Sequence, residues 1–487
     1  MRYLSTRGGD PVSAAEAIVR GISPSGGLYV PQSFPFVAYD TKSHDYLNTA
    51  YRVMSAYLPE TEKETLSEML RHAYASFDTP DVAPLIKLSE TESILELWHG
   101  PTMAFKDVAL QMLPYLMRDS LEKTGETKRV YILVATSGDT GKAALEGFKN
   151  VEGTRVLVFY PFNGVSEAQR LQMVTQEGNN VDVCAVRGNF DDAQTGVKQI
   201  FASDEISNLL GEKGWRLSSA NSINFGRLLP QIVYYYNSYE TMLAKGEIQE
   251  GERVNFCVPT GNFGDILAGE YARRMGLPVN KLICASNRNN VLTDFFDKGV
   301  YDDNRPFYKS MSCSIDILIS SNLERLLFEL ADRNDETVRG WMSALKEKGM
   351  YALPKSALDK LNETFSAGWC SEEDTLATIR RIFDKTGYLM DPHTAVAQCV
   401  YERYAEKTQD QTKTILLSTA NPYKFATDVL DAFEPAGTDG FCNAERLFAI
   451  SGTPVPKGIA GLKGKAERHL GVCELSEMPK RVLSSIL

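Results

Sequence analysis

An alternation of short apolar runs with amphipathic runs through the middle of the chain most restricts its fold. The apolar runs have the length and composition of buried strands, and most are followed by a run with helical periodicity. Strands that alternate with helices need crossover connections, which build a parallel sheet covered by helices on both faces. The sequence therefore predicts an α/β fold, in which ligands bind where the strands end. The predicted strands are residues 130–135, 155–160, 181–186, 215–218, 254–258, 281–285 and 414–419.

The length of the chain indicates more than one folding unit. A chain of 487 residues exceeds what one hydrophobic core usually supports. Helical periodicity with few strand signals marks a stretch after the predicted core, and an apolar run later returns to the sheet. We predict an N-terminal region over 1–90, an α/β core over 91–290, a largely helical insertion over 291–407, and a return to the core with a C-terminal tail over 408–487.

Charge and residue spacing exclude several classes of function. The net charge is −11, whereas nucleic acids and anionic membranes are bound by clustered Lys and Arg. The first residues form no signal segment, and no window is long and apolar enough for a membrane span. The eight cysteines and five histidines show no metal-ligand spacing. We therefore expect a cytoplasmic protein that binds a small molecule, with no nucleic acid, membrane or metal partner.

Three motifs in this order point to one cofactor. Lys106 lies in the run 99–107, and glycine-rich turns follow two of the predicted strands at 136–141 and 261–265. Taken singly, each has an ordinary explanation, because turns and helix caps need glycine and aspartate and most lysines are solvated. Together they supply a lysine that attacks an aldehyde and two backbone N–H cradles for a phosphate and a carboxylate. Pyridoxal 5'-phosphate carrying an amino acid has these three groups.

The same motifs, with several others, give the chain a family resemblance. It resembles the pyridoxal-phosphate enzymes of fold type II and, among them, the bacterial and fungal branch of the threonine synthase family. The resemblance spans nearly the whole chain and implies parallel sheets flanked by helices. Its motifs are residues 3–8, 26–31, 100–107, 135–141, 221–224 with Arg227, 261–265 and 418–420.

The resemblance implies a role for each cofactor contact. Lys106 would be the Schiff-base lysine and the base that takes the α-proton of the substrate. Thr419 would meet the pyridine nitrogen, and a neutral hydroxyl there would leave that nitrogen mostly unprotonated. Asp139 would lie beside the ring oxygen of the cofactor. The backbone amides of one turn would hold the cofactor phosphate, namely Gly261, Asn262, Phe263, Gly264 and Asp265.

The resemblance also implies the substrate, O-phospho-L-homoserine, which would be converted with water to L-threonine and phosphate. A net-acidic protein must offset the charge of this substrate locally, and an arginine at a helix start suits a bidentate phosphate contact. The implied phosphate contacts are Arg227, Asn221, Ser222 and Asn224. The implied carboxylate contacts are Thr136, Ser137, Gly138 and Thr140.

Two further functions are compatible with the lysine and the glycine turns. A serine or threonine dehydratase-like lyase needs the same cofactor contacts but no anchor for a substrate phosphate, so Arg227 discriminates against it. A non-catalytic metabolite-binding homologue would not need to retain Lys106. The sequence leaves the oligomeric state open between a monomer and a homodimer.

The chain departs from the family pattern at two positions. Related fold-type II enzymes often have Asn where Asp139 stands, and an ionised aspartate accepts but does not donate a hydrogen bond. Many relatives also have a histidine where Asn421 follows Ala420. Any role built on that histidine would be absent.

Overall fold

The computed structural model describes residues 1–136 and 138–486, with residues 190 and 191 described by their backbone alone. The strands in this part of the chain are β1 (Arg2–Ser5), β2 (Val12–Ser13), β3 (Tyr29–Pro31), β4 (Leu85–Lys87), β5 (Glu92–Glu96), β6 (Arg129–Ala135), β7 (Thr154–Pro161), β8 (Val181–Arg187), β9 (Trp215–Ser218), β10 (Val254–Pro259), β11 (Val279–Ser286), β12 (Val300–Asp302), β13 (Met350–Ala352), β14 (Phe365–Trp369), β15 (Thr414–Ser418) and β16 (Gly471–Glu474).

The helices in the same part of the chain are α1 (Ala14–Arg20), α2 (Tyr46–Tyr57), α3 (Lys63–Tyr74), α4 (Lys106–Leu110), α5 (Leu113–Thr124), α6 (Asp139–Gly147), α7 (Glu167–Val174), α8 (Phe190–Phe201), α9 (Asp204–Glu212), α10 (Phe225–Ala244), α11 (Gly264–Arg274), α12 (Val291–Lys298), α13 (Leu323–Leu330), α14 (Asp335–Lys348), α15 (Lys355–Thr364), α16 (Glu372–Thr386), α17 (Pro392–Thr408), α18 (Ala426–Leu430), α19 (Gly440–Ser451), α20 (Lys457–Ala460) and α21 (Met478–Ser484). Short 3₁₀ turns cover Cys313–Ile315, Pro422–Phe425 and Leu475–Glu477.

Two sheets of mainly parallel strands carry the fold. The first has the strand order β16-β8-β7-β6-β9, with every pair parallel. The second has the order β14-β11-β10-β15-β5-β4 and is parallel except between β4 and β5. Helices α6 and α8 pack on the first sheet, and α11 and α17 pack on the second. All the predicted strands are present, which confirms the parallel α/β architecture.

Helix α10 connects the two halves of the core. Almost every one of its residues is buried, because it packs against α2, α4 and α11. The small antiparallel sheet β2-β1-β3 attaches the N-terminal region to it, with the ring of Tyr3 4.7 Å from that of Phe225. The start of α10 is therefore held from several sides, which matters because residues 221–227 carry predicted phosphate contacts.

Nine of the sixteen strands in the described part of the chain were not predicted from the sequence, β14 and β16 among them. The segment 291–407 is mostly helical, but β14 within it pairs with β11 at the edge of the second sheet. In the C-terminal tail, β16 pairs with β8 at the edge of the first sheet. Both pairings join parts of the chain that are far apart in sequence. The proposed domain boundaries remain a prediction.

Among the described residues, no helix combines the length and the apolar character needed to cross a lipid bilayer. Within the same residues, no group of three or more His, Cys, Asp or Glu side chains is placed to hold a metal ion.

Candidate active site

A cleft of about 520 Å³ lies where strands of both sheets end. Loops after β6, β10 and β15 contribute to its wall, together with the starts of α4 and α10. Most of the predicted site residues meet here. Those lining the cleft are Lys106, Thr136, Asp139, Thr140, Asn221, Ser222, Arg227, Gly261, Asn262, Gly264, Asp265 and Thr419.

Lys106 is the first residue of α4 and projects into this cleft. The backbone N–H of Phe105 donates to the carbonyl of Thr419 at 2.8 Å, which fixes the lysine beside the end of β15. Only 11% of the Lys106 side chain is exposed, and its Nζ lies 3.7 Å from Oδ2 of Asp139. Burial lowers the pKa of Lys106, and the nearby carboxylate offsets this only in part. Lys106 therefore loses its proton more readily than an exposed lysine does.

The conformation before Lys106 is held by a buried carboxylate. The side chain of Asp107 accepts hydrogen bonds from the backbone N–H and the hydroxyl of Thr102, both at 2.8 Å. Gly100 packs so closely that a Cβ there would lie 2.4 Å from Cβ of Asp107. Burial raises the pKa of Asp107 to about 6. The run from Gly100 to Asp107 thus forms a closely packed turn that fixes the position of Lys106. Glycine is needed for the close packing, and aspartate is needed for the hydrogen bonds to Thr102.

The turn after β10 forms an anion cradle. The chain reverses at Phe263, which has a φ of 64°, and α11 begins at Gly264 with its first backbone N–H groups directed at the turn. The ring of Phe263 itself packs between Phe296 and Phe365, so its side chain does not line the cleft. Asn262 is fixed through its carbonyl, which accepts from the side-chain amide of Asn322 at 2.9 Å.

Gly261 has no room for a side chain. A Cβ there would lie 2.8 Å from the carbonyl oxygen of Ser314, which is closer than real contacts allow. We expect Gly261→Ala to cost about 1–3 kcal/mol of unfolding free energy, because the 313–315 turn must move away. Chemical denaturation of the cofactor-free chain measures this. Gly264→Ala is the matched control, since its Cβ would meet Asn322 at an ordinary 3.4 Å. Equal losses in the two variants would contradict the prediction.

Arg227 is a buried cation that does not use all of its hydrogen-bond donors. It is 4% exposed, and its Nη1 donates to the carbonyl of Ala220 at 2.8 Å. Its Nε has no hydrogen-bond partner among the described residues. Burial lowers its pKa to about 10, and no carboxylate among the described side chains opposes that shift. A buried guanidinium without an acidic partner, directed at a cleft, is suited to an anionic ligand.

The loop before α10 divides into cleft-lining residues and a cap. Asn221 and Ser222 line the cleft. Asn224 does not, because its side chain caps α10 by accepting from the N–H of Gly226 at 2.8 Å and donating to the carbonyl of Ile18 at 2.9 Å. Both polar ends of its amide thus make structural hydrogen bonds, and a contact between Asn224 and substrate remains a prediction.

The turn after β6 is also partly structural. The Thr136 hydroxyl accepts from the N–H groups of Gly138 and Gly141 at 3.0 and 2.9 Å, so this oxygen closes the turn. Gly138 has a φ of 140° and caps α6, and it does not line the cleft. Thr140 lines the cleft, whereas the predicted contact Ser137 lies outside the described residues. The carboxylate contacts of this turn remain predictions.

These groups fit pyridoxal phosphate. The cleft contains a buried amine of lowered pKa and a helix-start cradle too tight for a side chain. Thr419, at the end of β15, places a residue with a neutral hydroxyl at the same cleft. An aldehyde, a phosphate and a ring nitrogen each find a suitable group.

Comparison with known proteins supports this fit. The family model "Threonine synthase N terminus" matches residues 2–74, "Pyridoxal-phosphate dependent enzyme" matches 83–419, and "Threonine synthase, C-terminal" matches 394–478. Threonine synthase of Saccharomyces cerevisiae is 37% identical over 474 residues, covering 91% of this chain and 90% of the yeast protein. The chain belongs to the threonine synthase family.

Other comparisons agree and add one difference in length. Threonine synthase of Pseudomonas aeruginosa is 40% identical and covers 90% of each chain. A crystal structure of threonine synthase with pyridoxal phosphate bound, from Brucella melitensis, has a TM-score of 0.88 and 36% identity, and covers 100% of this chain and 99% of its own. Human threonine synthase-like 1 is 40% identical over 86% of this chain. The matched region spans 58% of the length of the human protein. The predicted fold type and pyridoxal-phosphate dependence are confirmed.

Threonine synthase family membership leaves one contact to be explained, that of Asp139. This carboxylate is buried and accepts hydrogen bonds from Gln169 Nε2 at 3.0 Å and Ser314 Oγ at 3.2 Å. Lys424 Nζ lies 2.7 Å from its Oδ1. Burial would raise the pKa of Asp139, but the nearby side chains of Lys424 and, to a lesser extent, Lys106 more than offset this and hold the pKa far below its usual range. Asp139 is therefore an anion at this site.

Sequence reasoning missed several residues that support the site. Lys424 stands in a short run after β15, and nothing in the local pattern distinguishes it from a solvated lysine. His393 is also buried, with Nδ1 bonded to Asp391 at 2.7 Å and Nε2 accepting from the backbone N–H of Ser314 at 3.0 Å. Asp139, the partner of Lys424, and Ser314, the second partner of His393, come from distant segments, so spacing along the chain gave no signal for these contacts.

Proposed function

We propose that the chain converts O-phospho-L-homoserine and water to L-threonine and phosphate. One observation carries this choice among the pyridoxal-phosphate enzymes: Arg227 is buried at the cleft with an unpartnered Nε and no acidic partner in the described part of the chain. Removing a phosphate dianion from water needs such a cation. Membership of the threonine synthase family supports the same substrate.

The residues of the cleft divide the reaction between them. Bound pyridoxal phosphate supplies a conjugated ring that delocalises the electron pair left on the substrate α-carbon. Lys106 Nζ takes the α-proton and then also removes a proton from the β-carbon. The electron pair left at the β-carbon expels phosphate as the γ-carbon–oxygen bond breaks. A proton is returned to the γ-carbon, and water adds its hydroxyl to the β-carbon while the remaining proton of that water goes to the released phosphate. Lys106 returns the α-proton last, which gives threonine.

The remaining residues bind and orient. Arg227, with Asn221 and Ser222, holds the leaving phosphate as charge accumulates on it. The turn at Thr140 receives the substrate carboxylate. The cradle at residues 261–265 holds the cofactor phosphate, and the neutral hydroxyl of Thr419 faces the ring nitrogen. Arg227 and the cradle are separate anion sites, which a substrate with its own phosphate requires.

A dehydratase-like lyase is the alternative reaction. It would use Lys106 and the cradle at 261–265 but would leave Arg227 buried without an anion, which is costly. We further propose that the reaction takes place in the cytoplasm. Assembly as a monomer or a homodimer remains a prediction.

An assay with O-phospho-L-homoserine tests the proposed function directly. We expect phosphate and threonine to appear in equal amounts from the protein loaded with pyridoxal phosphate. Inorganic phosphate is measured by a colorimetric assay and threonine by chromatography. Faster ammonia release from serine or threonine, with no phosphate released from the phosphorylated substrate, would identify a dehydratase instead.

A further inference from the structure

One buried carboxylate is shared between two lysines at the cleft. Lys424 is fully buried, and its Nζ lies 2.7 Å from Asp139 Oδ1 while donating to the carbonyl of Thr102 at 2.7 Å. Lys106 Nζ lies 3.7 Å from the other oxygen, Oδ2. The closer partner of Asp139 is therefore the lysine that does not project into the cleft.

Two carboxylates, two cations and one thiol surround Lys106. Asp139 lies on α6 and Asp265 on α11, and both favour a protonated lysine. Burial raises the pKa of Asp265 to about 6, so this carboxylate is still mostly ionised at pH 7. The opposing cations are Lys424 in the 422–425 turn and Arg227 on α10. The Cys313 thiol is kept neutral because burial raises its pKa to about 12.

We propose that Lys424 is a positioning residue that engages the Asp139 carboxylate, so that Lys106 is not held as an ammonium ion and its amine stays available to the cofactor aldehyde. The inference rests on the assignment of Lys106 as the cofactor lysine in the proposed function. It also accounts for an aspartate at position 139, because an asparagine would leave the buried ammonium of Lys424 without an anion.

The direction of the effect follows from the charges. Without Lys424, the nearest cation to the Asp139 carboxylate would be Lys106, and a buried ion pair holds its lysine protonated. Removal of Lys424 also removes a positive charge that repels a proton on Lys106. Both changes raise the pKa of Lys106, so less of it would be a free amine at neutral pH.

Competitive labelling with acetic anhydride measures the pKa of Lys106 on the full-length, cofactor-free chain. Acetylation of the peptide containing Lys106 is followed by mass spectrometry as a function of pH. We expect Lys424→Met to move the midpoint for Lys106 upward by about 1–3 pH units, the usual effect of an opposite charge a few ångströms away. Lys142 is the internal reference, because it is paired with Glu146 on α6 and should keep its midpoint.

A double variant separates a charge effect from damage to the fold. Asp139→Asn combined with Lys424→Met removes both charges, so the midpoint of Lys106 should return to the wild-type value or below. An unchanged or lowered midpoint in Lys424→Met, or a midpoint that stays raised in the double variant, would overturn the proposal.

A third variant covers the case in which Lys424→Met does not fold, as judged by circular dichroism. Asp139→Asn alone should then lower the midpoint of Lys106, and a rise or no change would overturn the proposal. The labelling uses no amino-acid substrate. A chain that labels as expected but releases no phosphate from O-phospho-L-homoserine would therefore contradict the proposed function alone.

Discussion

Lys106→Ala is expected to lower the turnover of O-phospho-L-homoserine by about 100- to 10,000-fold or more. That range is the usual contribution of a single positioned acid–base group, and Lys106 is proposed to move more than one proton. Lys424, which shares the Asp139 carboxylate with Lys106, does not line the cleft and is fully buried between Asp139 and Thr102. Lys424 is therefore not placed to take over the role.

Borohydride reduction tests the covalent part of the same prediction. Treatment of the cofactor-loaded protein should fix a pyridoxyl group on the peptide that contains Lys106, and mass spectrometry should find none there in Lys106→Ala. Lys142→Ala is the matched control, because Lys142 is also largely buried but pairs with Glu146 outside the cleft. It should retain both labelling and most of the turnover. Label on Lys424 in the wild-type protein would show that the two lysines had been assigned the wrong way round.

Local pattern was sufficient to predict most of the α/β fold. Strands such as Val130 to Ala135 are continuous apolar runs, because parallel strands are buried on both faces, and this signal lies within a few residues. Two of the missed strands lack this continuous apolar run. Phe365–Trp369 contains Gly368 and is only partly buried, and Gly471–Glu474 carries the exposed Val472. Edge strands of this kind are defined by the partner strand, which sequence spacing does not reveal.

Part of the candidate site could be predicted because its signals also lie within a few residues of the chain. Gly261 and Lys106 lie in motifs whose chemistry is local, since a helix-start cradle and the turn that presents a lysine are each built within a few residues. The cap that Asn224 forms could not be told from a ligand contact, because both use the same residue type at the same place. Lys424 was missed because its burial and its partner Asp139 arise only when distant segments meet.

Arg227→Ala separates phosphate binding from support of the fold. We expect a loss of about 2–5 kcal/mol in transition-state stabilisation with O-phospho-L-homoserine, as truncation of one partner of a buried charge pair typically gives. This corresponds to a decrease of about 30- to 5,000-fold in kcat/KM. The cofactor absorbance should barely change, because Arg227 is assigned to the substrate phosphate and the cradle at 261–265 to the cofactor.

Two comparisons make the Arg227 result specific. The slow deamination of serine or threonine should be little affected by Arg227→Ala, because these substrates have no phosphate to bind. Arg216→Ala is the control for loss of an arginine, since Arg216 pairs with Glu126 outside the cleft and should leave kcat/KM nearly unchanged. An equal loss with phosphorylated and unphosphorylated substrates would mean that Arg227 supports the fold through its bond to Ala220. The phosphate contact would then have to come from other residues of the cleft, of which Asn221 and Ser222 are the first to test.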